Sequence, residues 1–272
     1  DTGLRRWSIA AVLQSLTRND LADPYLLGIS SGAAVGAVTV IVLGVSFAGF
    51  VGWAAVPLAG FCGAWGALVL GLAIASTRHG DLPPARTVLA GVAGAYIGSS
   101  YASLLTIMEG DGHAAKRVLA WTLGSAAGLR WGSATFLAIV ALAALLVFML
   151  IGPHLDAFAF GEDAARSLGI RVQRVRWSLF LSAALMTAAM VAFAGAIGFV
   201  GLVVPHLVRG VVGPGHRALL PLAALTGAVL LLWADTLARG LVQGQEIPLG
   251  VVTAVVGTPF FVWLLRRQRE NA

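Results

Sequence analysis

Residues able to perform chemistry are scarce in this sequence. The five histidines fall near predicted loops or helix ends, and none are paired at the spacing of metal ligands: His79, His113, His154, His206 and His216. Cys62 is the one cysteine, so neither an intrachain disulfide nor a cysteine metal cluster is possible. There is no Walker A motif and no HExxH. We therefore expect no catalytic residue, no metal site, no bound cofactor and no ATP hydrolysis by this chain.

One charged pair stands near the end of an apolar run. Asp235 and Arg239 are four residues apart, so a helix would place them on one face. The pair is open to two interpretations, a structural ion pair at the outer membrane interface or an arginine exposed for docking. Other carboxylates are nearly absent from the apolar runs, which disfavours a proton- or sodium-driven carrier.

The composition requires a membrane. Of 272 residues, 58% are hydrophobic and 11% are charged, whereas soluble domains carry roughly 25% charged residues. The 34 glycines suit close packing of helices in lipid. These features predict a single all-α polytopic membrane domain spanning residues 1–272.

Apolar runs between charged or glycine- and proline-rich breaks predict the helices. They cover 7–17, 30–47, 52–76, 85–108, 132–152, 174–194, 197–211, 218–238 and 248–265, with a short amphipathic stretch, 114–124, in a loop. Gly198, Gly201 and Pro205 predict a bent or partial helix over 197–211. The run 7–17 is too short to span a bilayer, so we expect the first helix to be missing from this sequence or incomplete in it.

Basic residues predict the orientation. With the arginine-rich C-terminus in the cytoplasm, the alternating inside segments hold twelve basic residues, and the outside segments hold four: Lys116, Arg117, Arg130 and Arg239. This bias also accounts for the net charge of +6, so no nucleic-acid partner is expected.

The inside segment 156–171 carries the signals of a short helix. Gly161 precedes Glu162 and Asp163, whose charges favour a helix N-terminus. Ala164, Ala165 and Leu168 share one side of that helix, and Gly169 suits its C-cap. The segment is interpreted either as a solvated connector or as a docking element for a soluble partner.

Five stretches of the sequence resemble a known family. They are LTRNDLADPYLLGISSGA at 16–33, VLAGV at 88–92, GEDAARSLG at 161–169, AGAIGFVGLVVPHLVR at 194–209 and IPLGVVTAVVGTPFF at 247–261. In this order they resemble the FecCD-type permease subunits of type II ABC importers, which carry iron-siderophores, haem and cobalamin.

The resemblance implies an architecture and partners. It implies a bundle of about ten helices in the bacterial inner membrane, paired with a second permease that is identical or related. Two copies of an ABC ATPase, which hold the ATP and Mg²⁺, would dock inside, and a periplasmic or lipid-anchored binding protein would deliver cargo outside. Ferric siderophore is the first expectation for the cargo, with haem or cobalamin as the alternatives. A secondary carrier and an intramembrane enzyme or assembly factor are the rivals from other classes.

The resemblance also assigns roles to residues. The coupling helix, about 158–171, would contact the ATPase through Gly161, Glu162, Ala164, Ala165, Arg166, Leu168 and Gly169. Asn19, Asp20 and Leu21 resemble part of the cytoplasmic gate, although Asp20 stands where the family usually has a proline. Arg239 resembles an outer-face arginine that pairs with an acidic residue of the binding protein.

Overall fold

The computed structural model describes residues 28–44, 54–77, 83–109, 112–126, 128–159, 166–167, 169–213, 215–241 and 247–270. These ranges form an all-helical fold. The helices are α1 Ile29–Leu43, α2 Ala55–Ala75, α3 Pro84–Glu109, α4 Gly112–Leu123, α5 Trp131–Ala159, α6 Val172–Ala194, α7 Val200–Val212, α8 His216–Gly240 and α9 Leu249–Glu270. Within the described ranges, α2, α3, α5, α6 and α8 are long and apolar enough to span a membrane.

The predicted helices are confirmed wherever the structure describes them, although most of their ends differ from the prediction by a few residues. The stretch 114–124 is a helix in its own right, α4. Helix α7 begins at Val200, three residues later than predicted. Helix α5 continues past Gly152 and Pro153 to Ala159, so residues 158–159 of the predicted coupling segment belong to α5. A proline removes one backbone hydrogen bond, and membrane helices tolerate that loss when neighbouring groups compensate for it. The predicted helix 7–17 lies outside the described residues.

Helix α6 forms the core of the bundle. Inside the protein, 67% of its most apolar stretch is buried, against 17–39% for the other spanning helices. Its fully buried side chains include Leu179, Phe180 and Met186. By contrast, α5 and α8 carry rows of exposed leucine and valine side chains, which suit contact with lipid acyl chains.

Small residues bring α1 and α2 into backbone contact. A Cβ atom added to Gly32 would meet the carbonyl oxygen of Gly63, and one added to Gly36 would meet that of Ala59. Close packing of this kind drives helix association in lipid, where the hydrophobic effect does not, because lipid tails are as apolar as the side chains. These glycines therefore allow the close helix packing that the sequence predicted.

Hydrogen bonds between chain segments gather several helix ends at one end of the bundle, which we call the α4 end. The amide of Leu249 donates to the Gly124 carbonyl at 2.9 Å, and the amide of Ser125 donates to the Ala194 carbonyl at 2.9 Å. The amide of Ile247 bonds to the carbonyl of Ala238 at 3.2 Å. The α4 end therefore holds α4, the C-terminal ends of α6 and α8, and the start of α9.

Basic side chains lie at both ends of the bundle. Lys116, Arg117 and Arg239 lie at the α4 end, and Arg130 follows α4 in the chain. At the opposite end, the basic residues whose side chains are described are Arg86, Arg166, Arg171, Arg174, Arg209 and Arg217. The helices thus alternate in direction as the sequence predicted, with the predicted outer segments together at the α4 end.

Candidate functional site

The predicted ion pair forms at the C-terminal end of α8. The Nε atom of Arg239 lies 3.0 Å from Oδ2 of Asp235, and Nη2 lies 3.2 Å from Oδ1. The two side chains are 49% and 30% exposed respectively, so the pair is a surface feature. Two parallel N–H···O contacts fix the plane of a guanidinium group. Arg239 is therefore held in one orientation while half of its surface stays open to a partner.

Helix α4 adds positive charge to the same end. Lys116 and Arg117 are exposed along it, whereas Ala114 is buried against the bundle. The Nη2 atom of Arg117 donates to the carbonyl oxygen of Ile41 at 3.3 Å. That carbonyl lies in the last turn of α1, where the helix dipole favours a cation. This contact joins α4 to α1 and was not predicted from the sequence, because the two residues are distant in the chain.

A tight backbone junction lies behind α4. Gly195 ends α6 with φ 67° and ψ −169°, a region that glycine alone occupies readily. A Cβ atom at Gly195 would meet the carbonyl oxygen of Trp121, and one at Gly250 would meet the carbonyl oxygen of Leu123. The junction therefore couples α4 to α6 and α9 through backbone contacts.

The predicted coupling segment is described in part. Arg166 and Ser167 are helical and exposed. Gly169 has φ 78° and donates its amide to the Arg166 carbonyl at 2.9 Å, the left-handed geometry of a helix terminus. The chain then turns into α6, whose Val172 is buried against Ile170 and Val175. Gly161, Glu162, Ala164, Ala165 and Leu168 lie outside the described residues, so their predicted contacts stay predictions.

The predicted gate residues also fall outside the described residues. Asn19, Asp20 and Leu21 all precede Gly28, where the described structure begins. Their role stays a prediction.

Groups that could support other chemistry are dispersed. Within the described ranges, no three His, Cys, Asp or Glu side chains come together in a way that could hold a metal ion. Cys62 is exposed on α2, and His216 is buried in the first turn of α8.

An apolar groove lies between α7, α8 and α9. It has a volume of about 220 Å³, and its lining includes Phe199, Trp233, Val256 and Phe260. Phe199 has φ 66° and its side chain packs on Gly257. The sequence predicted a bent or partial helix over 197–211, and α7 is a short helix of 13 residues that follows the irregular residues 195–199. The groove itself was not predicted, because it depends on contacts between three helices.

Comparisons with known proteins agree with this architecture. The model of the FecCD transport family matches residues 8–267. The cobalamin import permease BtuC of Halobacterium salinarum is 42% identical over 270 residues, covering 96% of this chain and 68% of that protein. The hemin transport permease HmuU of Yersinia pestis is 38% identical and covers 96% and 77%. The Fe(3+)-citrate import permease YfmE of Bacillus subtilis is 36% identical and covers 94% and 74%.

A solved structure matches the fold closely. It belongs to a transporter assigned to the metal-chelate type of ABC transporter, in an inward-facing conformation. The identity is 28% and the TM-score is 0.89, with 98% of this chain and 82% of that chain covered. Fold and relatives together define the class of protein as an integral membrane permease of a type II ABC importer. The chain belongs to the FecCD transport family.

Proposed function

We propose that the chain forms half of the membrane path of an ATP-driven importer that takes ferric siderophores from a binding protein. The observation that carries this proposal is the match to FecCD permeases over nearly the whole chain, from residue 8 to residue 267. The path would lie between two permease copies, identical or related. ATP and Mg²⁺ would bind to the two ABC ATPase subunits.

The orientation follows from the charges at the two ends. The opposite end holds Arg86, Arg171, Arg174 and other basic residues, and positive charge favours the cytoplasmic side. We place that end and the C-terminus in the cytoplasm, and the α4 end outside. The segment around Arg166 is then on the side of the ATPase, and Arg239 is on the side of the binding protein.

The two ends supply different kinds of contact. At the cytoplasmic end, the short helix that ends at Gly169 would fit the ATPase, and closure of the ATPase pair on ATP would move it. Because Val172 is buried immediately after it, that motion would pass into α6, the central helix. At the outer end, Arg239 would pair with a carboxylate of the binding protein. The backbone junction at Gly195 would carry the motion of α6 to α4.

The cargo is a chelate of a metal ion. Ferric siderophore is supported by the YfmE relative, named for Fe(3+)-citrate, and by the fold match to a metal-chelate type transporter. Cobalamin is the second candidate, because the BtuC relative has 42% identity. Haem is the third candidate, because the HmuU relative is named for hemin transport.

The binding protein that docks on this permease tests the cargo. Its affinity for a hydroxamate ferric siderophore, for haem and for cobalamin would be measured by tryptophan fluorescence quenching at one salt concentration. The proposal expects tight binding of the ferric siderophore alone. Preferential binding of cobalamin or haem would reject the siderophore and leave the importer class unchanged.

A further inference from the structure

Helix α3 differs from the other spanning helices in what its outer surface carries. It has the lowest mean hydropathy of the five, and 17% of its most apolar stretch is buried inside the protein. Tyr96 is 74% exposed, and Ser99, Ser100 and Ser103 are also exposed. The least buried of the five spanning helices therefore presents hydroxyl groups.

The four hydroxyl residues share one face of α3. At about 100° per residue, positions 96, 99, 100 and 103 fall within an arc of roughly 100°. Tyr96 is 12 residues from Pro84 and 13 from Glu109, or roughly 18 Å from either end. The hydroxyl face, as we call these four residues, therefore lies at the middle depth of a bilayer.

The hydroxyl face is also distinctive in its hydrogen bonding. Hydroxyl side chains on apolar helices usually donate to the carbonyl one turn back, which satisfies them in lipid. In this chain many do so, among them Thr39, Thr106, Thr122, Thr135, Ser182, Thr187 and Thr236. No hydrogen bond joins the hydroxyls of Tyr96, Ser99, Ser100 or Ser103 to another described residue.

Unpaired hydroxyls at this depth do not suit a lipid-facing surface, because hydrocarbon offers them no partner. Water or a polar ligand does. Neutral hydroxyls both donate and accept, and several of them give weak contacts that do not trap a passing molecule. Their neutrality favours a ligand that is rich in carbonyl, amide or hydroxyl groups rather than one recognised by its charge.

We propose that Tyr96, Ser99, Ser100 and Ser103 line the aqueous path and make hydrogen bonds to the periphery of a polar chelate as it passes. The inference rests on the proposed function for the existence of a path. It adds that this path has a hydroxyl wall at mid-membrane and that the cargo is selected there for its peripheral hydrogen-bonding groups.

Cysteine accessibility tests the aqueous face. In the Cys62→Ala background, Ser100→Cys would be compared with Leu146→Cys, an exposed position halfway along α5, in the assembled transporter in proteoliposomes. The thiolate, which forms in water, attacks a charged, membrane-impermeant thiol reagent. Ser100→Cys should react at least about tenfold faster than Leu146→Cys, and cargo with its binding protein should slow the reaction.

Two outcomes would overturn the inference. One is protection of Ser100→Cys as complete as that of Leu146→Cys, which would mean that this face meets lipid. The other is efficient disulfide formation between two copies of Ser100→Cys, because a disulfide requires Cα atoms within about 7 Å and would mean direct packing of two α3 helices.

Measurements of uptake test whether the hydroxyl face selects the cargo. The triple variant Ser99→Ala, Ser100→Ala, Ser103→Ala should import a ferric hydroxamate about fivefold more slowly than the unmodified permease, since each lost hydrogen bond weakens the passing contact. The matched control Thr135→Val, whose hydroxyl bonds to the Trp131 carbonyl, should import at the unmodified rate. Both should retain the ATPase. Unchanged uptake by the triple variant would overturn the selection.

The two proposals fail separately. If the unmodified permease with its partners imports no ferric siderophore, the proposed function fails whatever the labelling shows. If it does import the chelate while Ser100→Cys stays protected, the hydroxyl wall alone fails.

Discussion

Alanine at Gly195 should weaken the fold in two ways. The backbone there has φ 67° and ψ −169°, and holding a residue with a Cβ atom in such a region costs about 1–3 kcal/mol. The new methyl group would also meet the Trp121 carbonyl oxygen and lie 2.9 Å from Cα of Gly124. Overpacking of this kind costs a further ~1–3 kcal/mol, so the sum is about 2–6 kcal/mol.

Gly213 is a matched control for the strain. It ends α7 with φ 81° and ψ −173°, nearly the same backbone geometry as Gly195. A Cβ atom added there has no described atom within 4 Å outside its chain neighbours. Gly213→Ala should therefore cost only the strain, about 1–3 kcal/mol.

Thermal unfolding in detergent, followed by loss of the monodisperse peak in size-exclusion chromatography, compares the two variants. A change of 1 kcal/mol shifts the Tm by about 2–4 °C in chains of roughly this size. Gly195→Ala should therefore unfold about 2–12 °C below Gly213→Ala. Equal Tm values for the two variants would refute the claim that the junction holds α4, α6 and α9 in backbone contact.

Four further predictions concern other parts of the molecule. Gly257→Ala should lower the free energy of unfolding by about 1–3 kcal/mol, measured by the same thermal assay, because its Cβ atom would lie 2.7 Å from Cβ of Phe199. Asp235→Asn should change it by less than about 1 kcal/mol, since the ion pair with Arg239 is surface-exposed. Arg239→Glu should weaken docking of the binding protein by about tenfold at low salt, measured by surface plasmon resonance, through like-charge repulsion. Leu168→Asp should abolish co-purification of the ATPase while the permease remains folded, because a charge would replace the apolar face of the coupling helix.

Controls for these predictions come from the same chain. Gly240→Ala adds a methyl group with no described atom near it and should leave the Tm within about 2 °C of the unmodified protein. Arg217→Glu reverses a charge at the opposite end and should leave binding-protein docking unchanged. Ala120→Asp on exposed α4 should retain the ATPase. Intact ATPase on Leu168→Asp, or unaltered docking by Arg239→Glu, would count against the respective assignment.

Much of the helical framework was predictable, because apolar length alone identifies helices that cross a bilayer. The run 174–194 became α6, Val172–Ala194, with a difference of two residues at its start. The end of α5 was mispredicted, since Gly152 and Pro153 indicate a break when read locally. Whether a helix survives a proline depends on its neighbours, which the local sequence does not contain.

The candidate sites also include features that the local sequence predicts and features that it does not. The Asp235–Arg239 pair was predictable because it depends on a spacing of four residues within one helix. The junction at Gly195 was not, since it joins residues from α4, α6 and α9. The hydroxyl face of α3 has a local signal in its spacing at positions 96, 99, 100 and 103, but the signal gained meaning from the exposure and hydrogen bonding that the structure provides.

Uptake into proteoliposomes tests the central claim most directly. The permease would be reconstituted with its ATPase, with the binding protein and labelled ferric siderophore on the side of the α4 end and with ATP on the other. The account predicts accumulation that requires ATP, the ATPase and the binding protein together. Accumulation driven by a proton or sodium gradient without ATP would contradict it.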